Sequence, residues 1–213
     1  MKKKSICYIF GAGDYYGAPP SFAKEGYVIA ADGGYEYMKQ NGIRADMLVG
    51  DFDSLEKIPQ HDNIRILPQK KDDTDMVAAI RAGWEQGCRI FHIYGGTGGR
   101  LDHTLANIQC IADLSMRGAR GFLYDRDTVI TAITDADIFF PAGCMGTVSV
   151  FSHSDMAIGV CVTDLKYPLH DAILYNNYPI GISNEFIGAP GSIKVRSGTL
   201  IIIYPKAIQE AEE

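Results

Sequence analysis

The stretch MLVGDFDSL at residues 47–55 joins a short apolar run to two carboxylates that stand two residues apart. The apolar residues Met47–Val49 predict a short buried strand that ends at Gly50. Asp51 and Asp53 therefore follow the C-terminal end of a strand, where open α/β sheets bind their ligands. In an extended backbone the two side chains would point the same way, which suits a hard cation with oxygen ligands. A turn in which the aspartates cap the backbone would use the same residues, and this stretch alone favours neither interpretation.

The overall composition is typical of a globular protein in aqueous solution, with 46% hydrophobic and 22% charged residues among 213. This length suits one large domain or two small ones. A net charge of -6 disfavours a nucleic-acid backbone as the main partner. We expect neither a membrane helix nor a signal peptide, because no apolar run is long enough. The five cysteines are widely spaced and form no CxxC pair, which indicates reduced thiols in a cytoplasmic protein.

Strands and helices alternate in the first part of the chain, which predicts a mostly parallel sheet covered by helices. After about Ile138, β-rich runs separated by Gly, Pro, Asn, Asp and Ser predict an antiparallel β-sandwich or partial barrel. The expected fold is therefore α/β, with a Rossmann-like domain at residues 1–135 and a β-sandwich domain at residues 136–213. In the first domain the predicted strands are Ser5–Phe10, Gly26–Ala31, Met47–Val49, Ile64–Leu67, Arg89–Tyr94, Gly121–Tyr124 and Val129–Ile133.

A glycine-rich loop, GGTGG at residues 95–99, follows the predicted strand Arg89–Tyr94. Glycine is costly in backbone entropy, and such a loop is favoured where backbone N–H groups must approach an anion. Arg100 then opens a predicted helix, although a cation at a helix start opposes the helix dipole. A bound phosphate would resolve this conflict. The alternative is that Arg100 pairs with Asp102 or another carboxylate.

That helix is predicted over about Leu101 to Arg117. Its apolar residues recur at helical spacing, which predicts a face packed into the core. The residues of this face are Leu105, Ile108, Ile111, Ala112 and Leu114.

Further carboxylates are expected near the same edge of the sheet. Asp32 ends the second predicted strand, and Asp75 lies in the acidic start of a helix, where Asp72 and Asp73 are explained by helix capping. Converging carboxylates repel one another unless a cation holds them, and Mg²⁺ binds carboxylate and phosphate oxygens. Together with the glycine loop and Arg100, these residues predict Mg²⁺-dependent phosphoryl-type transfer. The sequence contains neither a Walker A motif nor a protein-kinase signature.

Six short motifs, in this order, resemble those of the thiamine pyrophosphokinase family, and they extend over nearly the whole chain. They are ADGG at 31–34, GDFDS at 50–54, DDTD at 72–75, GGRLDHTLAN at 98–107, DLKYPL at 164–169 and GISNEF at 181–186. The resemblance implies a Rossmann-like α/β domain followed by a β-sandwich, and a homodimer with active sites between its subunits. It also implies an enzyme that transfers the pyrophosphoryl group of ATP to the hydroxyl of thiamine and releases AMP.

The resemblance also implies roles for individual residues. Asp51, Asp53 and Asp75 would bind Mg²⁺ and organise the phosphates, while Arg100 and Asp102 would bind the nucleotide or help to activate the thiamine hydroxyl. The remaining nucleotide-binding positions would be Asp32, Gly33, Thr74, Gly98, Gly99 and Asn107. The thiamine pocket would be lined by Tyr167, Ser183 and Asn184.

The sequence departs from the family pattern at two positions. Tyr167 stands where animal members have Trp, and a tyrosine ring can also stack on a flat cation. Asp164 stands where glycine is expected, and aspartate accepts a left-handed turn better than most residues.

Two other functions are compatible with parts of the sequence. One is a phosphatase or phosphotransferase in which Asp51 is a nucleophile, since DxD after a strand also resembles the haloacid dehalogenase site. That family places its DxD after the first strand, whereas here it follows the third. The other is a non-catalytic nucleotide or thiamine sensor.

Overall fold

The computed structural model describes residues 5–17, 19, 26–52, 61–68 and 73–210. They form a mixed α/β fold with two compact units: unit 1 comprises residues 1–110 and 122–125, and unit 2 comprises residues 111–121 and 126–213. The strands are β1 (Ile6–Phe10), β2 (Tyr27–Ala31), β3 (Met47–Gly50), β4 (Ile64–Ile66), β5 (Ile90–Tyr94), β6 (Arg120–Tyr124), β7 (Thr128–Thr134), β8 (Asp137–Phe140), β9 (Met145–Ser152), β10 (Met156–Thr163), β11 (Leu169–Tyr175), β12 (Asn184–Ile187), β13 (Gly191–Lys194) and β14 (Thr199–Pro205). The helices are α1 (Gly34–Gln40), α2 (Asp75–Glu85), α3 (Leu101–Met116) and α4 (Lys206–Glu210). The predicted domain boundary at residue 135 stays a prediction.

Unit 1 is built on a sheet with the strand order β6-β5-β1-β2-β3-β4. The strands from β5 to β4 are parallel to their neighbours. Four of them are almost wholly buried and, apart from His92, lack polar ionisable side chains other than tyrosine, as expected of a parallel sheet that is covered on both faces. In the register, Phe10 lies opposite both Tyr94 and Ala30, and Ala31 lies opposite Val49. The C-terminal ends of four strands are therefore level.

Unit 2 contains two antiparallel sheets, with the orders β12-β9-β14-β7 and β11-β10-β13-β8. The ring of Phe140 on β8 packs edge-on against Phe186 of β12 and Tyr204 of β14, with centroid distances of 4.9 and 5.3 Å. These contacts join the two sheets through a buried aromatic cluster. The sequence pattern predicted β-rich structure in this part of the chain, but it identified neither β8, β11 nor β12 as strands.

The start of α2 differs from the expectation that acidic residues cap it. Thr74 is the cap, because its Oγ1 accepts the N–H of Val77 at 3.2 Å. Asp73 instead forms an ion pair with Arg81, whose Nη1 lies 2.7 Å from Oδ2. Asp72 lies outside the described residues. A threonine that accepts this hydrogen bond satisfies a backbone donor that the helix leaves unpaired.

The predicted core face of α3 is correct only in its second half. Ile111, Ala112 and Leu114 are fully buried, but Leu105 is 58% exposed. Hydrophobic periodicity identifies an apolar face, but it does not show how far neighbouring elements cover that face. Within the described ranges, none of the helices combines the length and hydrophobicity needed to cross a bilayer.

Candidate active site

Asp32 lies where β2 ends, between β3 and the start of α1. Its backbone N–H donates to the carbonyl of Val49 at 2.8 Å, and its own carbonyl accepts the N–H of Tyr35 at 3.2 Å. The residue has φ = 46°, a left-handed conformation that aspartate accepts more readily than most residues. Gly33 follows in the N-cap position of α1. Because the strand ends are level, Asp32 shares one sheet edge with the residues that follow β1, β3 and β5.

Asp51 follows β3 directly and is half-buried at the same edge. The extended backbone expected over residues 51–53 is wrong, because Phe52 has φ = 54°. This left-handed conformation costs a non-glycine residue roughly 1–2 kcal/mol. The ring of Phe52 is only 2% exposed, so the chain turns here while it buries a large apolar side chain. Alternation along a strand therefore does not fix the direction of Asp53, which lies outside the described residues.

The loops that follow β1 and β5 are hydrogen-bonded to each other. The N–H of Gly13 donates to the carbonyl of Gly95 at 2.7 Å, and the N–H of Asp14 donates to the carbonyl of Thr97 at 2.9 Å. A Cβ atom on Gly13 would lie only 2.3 Å from that Thr97 oxygen. Close approach of the two loops thus accounts for this glycine without a bound anion.

Tyr15 completes the packing around these loops. Its hydroxyl donates to the carbonyl of Gly11 at 2.6 Å, and its ring stacks on Tyr37 with a centroid distance of 3.5 Å. Burial raises the pKa of the Tyr15 hydroxyl above its ordinary value, so this group remains a proton donor. The loop after β1 is therefore held from the α1 side as well as from the β5 side.

Two side chains secure the glycine loop of residues 95–99. The hydroxyl of Thr97 donates to Oδ1 of Asp125 at 2.8 Å. Nδ2 of Asn107 donates to the carbonyl of Gly96 at 2.7 Å, and Asn107 is buried. The structure thus gives Asn107 a contact with the loop itself. The sequence did not identify Thr97 and Asp125 as candidate site residues, although Asp125 follows a strand, as Asp32 and Asp51 do.

Arg100 and Asp102 form an exposed bidentate ion pair just after this loop. Nε of Arg100 lies 3.1 Å from Oδ1 of Asp102, and Nη2 lies 2.6 Å from Oδ2. The hydrogen bond from Arg100 is the main reason why the pKa of Asp102 is below its ordinary value. The preceding residues Gly98 and Gly99 have positive φ angles of 77° and 56°. The pairing considered as the alternative to phosphate binding is thus present in the structure.

The other predicted metal and nucleotide ligands lie on unit 1 as well. Asp75 is the first residue of α2 and is half-buried, while the hydroxyl of the preceding Thr74 is used in the helix cap. Among the described residues, no three His, Cys, Asp or Glu side chains are grouped so that they could hold a metal ion. Asp53 is not among the residues covered by that statement. The carboxylate oxygens of Asp51 and Asp75 are nevertheless the donor type that Mg²⁺ binds.

Comparison with known proteins gives one consistent family. Residues 20–123 match the model of the thiamin pyrophosphokinase catalytic domain. The chain is 28% identical over 189 residues to thiamine pyrophosphokinase of Bacillus subtilis, covering 82% of this chain and 85% of that protein. The chain thus carries a thiamin pyrophosphokinase catalytic domain at residues 20–123.

Solved structures of thiamin pyrophosphokinases share the fold. The thiamin pyrophosphokinase of Geobacillus thermodenitrificans has a TM-score of 0.79 at 26% identity, covering 94% of this chain and 97% of that chain. The B. subtilis structure has a TM-score of 0.81 at 24% identity, covering 94% and 98%. The thiamin pyrophosphokinase of Candida albicans still has a TM-score of 0.70 at 14% identity, covering 96% and 91%.

The residues predicted to line the thiamine pocket all lie in unit 2. Tyr167 has a 55% exposed side chain, and Nζ of Lys166 lies 5.3 Å from its ring centroid. Ser183 is exposed and has φ = 58°, and its N–H donates to Oγ of Ser149 at 3.1 Å. Asn184, in contrast, is buried and hydrogen-bonded to the backbone of Tyr167. Of the three candidates, Tyr167 and Ser183 are therefore exposed, whereas Asn184 supports the backbone of Tyr167.

The loop that carries Tyr167 contains the left-handed turn expected at Asp164. This residue has φ = 57°, the left-handed conformation for which glycine is expected in this family. Lys166 is held by Glu185, whose Oε1 lies 2.8 Å from Nζ, and this hydrogen bond raises the pKa of Lys166. The ammonium group of Lys166 thus already lies near the face of the Tyr167 ring.

Proposed function

We propose that this protein transfers the pyrophosphoryl group of ATP to the hydroxyl of thiamine, giving thiamine diphosphate and AMP. The register of the parallel strands is the observation that supports this function best. It aligns the ends of β1, β2, β3 and β5, and so brings Asp32, Asp51 and the glycine loop to one sheet edge. In a thiamine pyrophosphokinase, that edge is where we expect the triphosphate. The test is an AMP assay with ATP, in which AMP should form only when thiamine is added.

The carboxylate groups expected at this edge of the sheet suit Mg²⁺. Asp51, Asp53 and Asp75 would hold it through carboxylate oxygens. When bound, Mg²⁺ would neutralise part of the negative charge of the triphosphate. The chain's own contribution is to position the reacting groups, which provides most of the catalysis in phosphoryl-type transfer.

Arg100 and Asp102 would act together on the reacting groups. Their ion pair is exposed, and exposed ion pairs contribute little to stability, so a phosphate can displace Asp102 from the guanidinium. Arg100 would then bind phosphate oxygens with its planar fork, and Asp102 would be released. The thiamine hydroxyl would give its proton to Asp102 while its oxygen bonds to the β-phosphorus. The bond from the β-phosphorus to the bridging oxygen of the α-phosphate would break, and AMP would leave with that oxygen.

Tyr167 and Ser183 would contact thiamine on unit 2. A flat cationic ring can stack on the exposed face of Tyr167, where it would replace Lys166. Lys166 keeps an alternative partner in Glu185, so its displacement from the ring leaves its charge paired. The exposed hydroxyl of Ser183 would provide a polar contact at the rim of this site.

We further propose a homodimer in which each active site takes its ATP side from one subunit and its thiamine side from the other. The segment that leads to Ser183 exposes several large apolar side chains, and exposed apolar surface of this kind is typical of interaction sites. These residues are Tyr178, Ile180 and Ile182, which are 65%, 50% and 55% exposed. Domain organisation as an N-terminal Rossmann-like domain and a C-terminal β-sandwich belongs to the same proposal.

A cytoplasmic location is also part of the proposal, and it is supported by the five cysteines, all of which are free thiols. The similarity to thiamine pyrophosphokinases does not favour the two alternative functions. A phosphotransferase that uses Asp51 as nucleophile would form a covalent aspartyl-phosphate with labelled ATP. A sensor would bind ATP or thiamine without producing AMP.

A further inference from the structure

The glycine loop of residues 95–99 contains one residue that has a functional side chain, Thr97. Thr97 is 4% exposed, and its hydroxyl donates to Oδ1 of Asp125 at 2.8 Å. Asp125 follows β6, so this hydrogen bond links the loop after β5 to the end of the adjacent strand. A hydrogen bond to a carboxylate is stronger than one between neutral groups. The loop is thus fixed on the β6 side by a strong side-chain contact.

The backbone of the same residue fixes the loop on its other side. The carbonyl of Thr97 accepts the N–H of Asp14, from the loop after β1, at 2.9 Å. Gly98 and Gly99 follow with positive φ angles and have no side chain with which to hold the chain in place. Arg100 comes directly after them. On its other side, the carbonyl of Arg100 accepts the N–H of Thr104 in the first turn of α3 at 3.2 Å. The position at which the guanidinium leaves the sheet edge therefore depends on where Thr97 is held as well as on the start of α3.

We propose that Thr97 and Asp125 act as one positioning pair, which places the 98–100 segment so that Arg100 reaches the phosphates of the nucleotide. This inference rests on the proposed function for the identity of the ligand. Neither residue needs to touch the substrate. Phosphoryl-type transfer depends strongly on alignment, and a shift of about 1 Å can cost about 100-fold in rate.

A double-mutant cycle tests whether the two side chains act as a unit. Thr97→Val keeps the shape but removes the donor, and Asp125→Ala removes the acceptor. We expect each single variant to raise KM for ATP about 10-fold while KM for thiamine stays within about twofold. The double variant should be no worse than the poorer single variant. Effects that multiply, or an equal rise in both KM values, would overturn the proposal.

Conservative variants should restore the hydrogen bond. Thr97→Ser keeps the hydroxyl and Asp125→Asn keeps an acceptor oxygen, so both should remain within about threefold of the parent KM for ATP. A matched control is Thr131→Val on β7, because Thr131 is also buried and its hydroxyl donates to the carbonyl of Gly121 at 2.7 Å. This control should lose stability without changing KM for ATP. A Thr97→Ser variant as impaired as Thr97→Val would show that the hydroxyl is not what matters.

Amide hydrogen exchange tests the positioning role of Thr97 separately from the proposed function. The N–H of Asp14 reports directly on its bond to the Thr97 carbonyl, and the N–H of Asp46, bonded to the carbonyl of Val28, is an internal reference. In the ligand-free protein, Thr97→Val should speed exchange at Asp14 about 10-fold and leave Asp46 unchanged. Unchanged exchange at Asp14 would overturn the positioning role, whether or not the parent protein forms AMP. An inactive parent with faster exchange at Asp14 would overturn only the proposed function.

Discussion

The side chain of Asn184 brackets the backbone of Tyr167. Oδ1 of Asn184 accepts the N–H of Tyr167 at 2.9 Å, and Nδ2 donates to the carbonyl of Tyr167 at 2.6 Å. The same Oδ1 also accepts the N–H of Glu185 at 2.8 Å. Asn184 is only 7% exposed, so these bonds are shielded from water. The residue that sequence motifs assign to the thiamine pocket thus holds the loop that presents the aromatic ring.

Replacing Asn184 should therefore affect stability and thiamine binding together. Asn184→Ala leaves backbone groups of Tyr167 and Glu185 without their partners, and we expect a loss of about 3 kcal/mol in the free energy of unfolding. KM for thiamine should rise because Tyr167 is no longer held, while KM for ATP changes little. Urea unfolding and steady-state kinetics measure the two effects. Ser183→Ala is the control, since it removes an exposed hydroxyl and should change stability by less than about 0.5 kcal/mol. Unchanged stability in Asn184→Ala would assign Asn184 to direct substrate contact.

Arg100 should matter for ATP through its geometry and not only through its charge. Arg100→Lys keeps the charge but loses the planar fork, so we expect KM for ATP to rise or kcat to fall by about 10-fold, and more in Arg100→Ala. The matched control is Arg117→Ala, because Arg117 also forms an exposed ion pair, with Asp113 at 3.2 Å. That control should leave the ATP kinetics unchanged. If both Arg100 variants behave like the parent, its role is limited to the ion pair with Asp102.

The lowered pKa of Asp102 leads to a prediction that can be tested without an activity assay. Because the hydrogen bond from Arg100 holds the pKa of Asp102 below its ordinary value, this carboxyl should titrate at a lower pH in the folded protein than in the unfolded chain. A lowered folded-state pKa means that the pair adds stability above the unfolded pKa and loses it as pH falls through the folded pKa. Carbon-detected NMR of the carboxylate should show this titration in the ligand-free protein. Arg100→Gln should move the pKa upwards, and an unmoved pKa would contradict the assigned cause.

The sequence predicts most of unit 1 because buried parallel strands are visible as short apolar runs, as in Met47–Val49. Features that depend on tertiary neighbours are not visible in the same way. The turn at Phe52 depends on where its ring is buried. Leu105 is exposed because none of the described elements covers this part of α3. The bond between Thr97 and Asp125 joins residues 28 positions apart, and it exists because β5 and β6 are neighbours in the sheet. Residue types identify candidate ligands, whereas strand order decides which of them meet.

The proposed division of each site between two subunits can be tested by complementation. Asp51→Asn removes a carboxylate from the ATP side, and Tyr167→Ala removes the ring from the thiamine side. As homodimers, both variants should be nearly inactive, since every site would contain one damaged half. Far-ultraviolet circular dichroism and size-exclusion chromatography should show that both variants fold and associate as the parent does.

In a heterodimer of the two variants, one site receives both altered halves and the other receives both unaltered halves. Each heterodimer should therefore regain about half of the parent activity, and an equal mixture after random exchange should regain about a quarter, because about half of its dimers are mixed. Subunit exchange is verified with differently tagged chains purified in tandem. Pairing Asp51→Asn with Arg100→Ala is the control, because both alter the ATP side and every site of that heterodimer contains one altered half. Verified exchange without recovery in the first pair would show that each chain builds its own complete site.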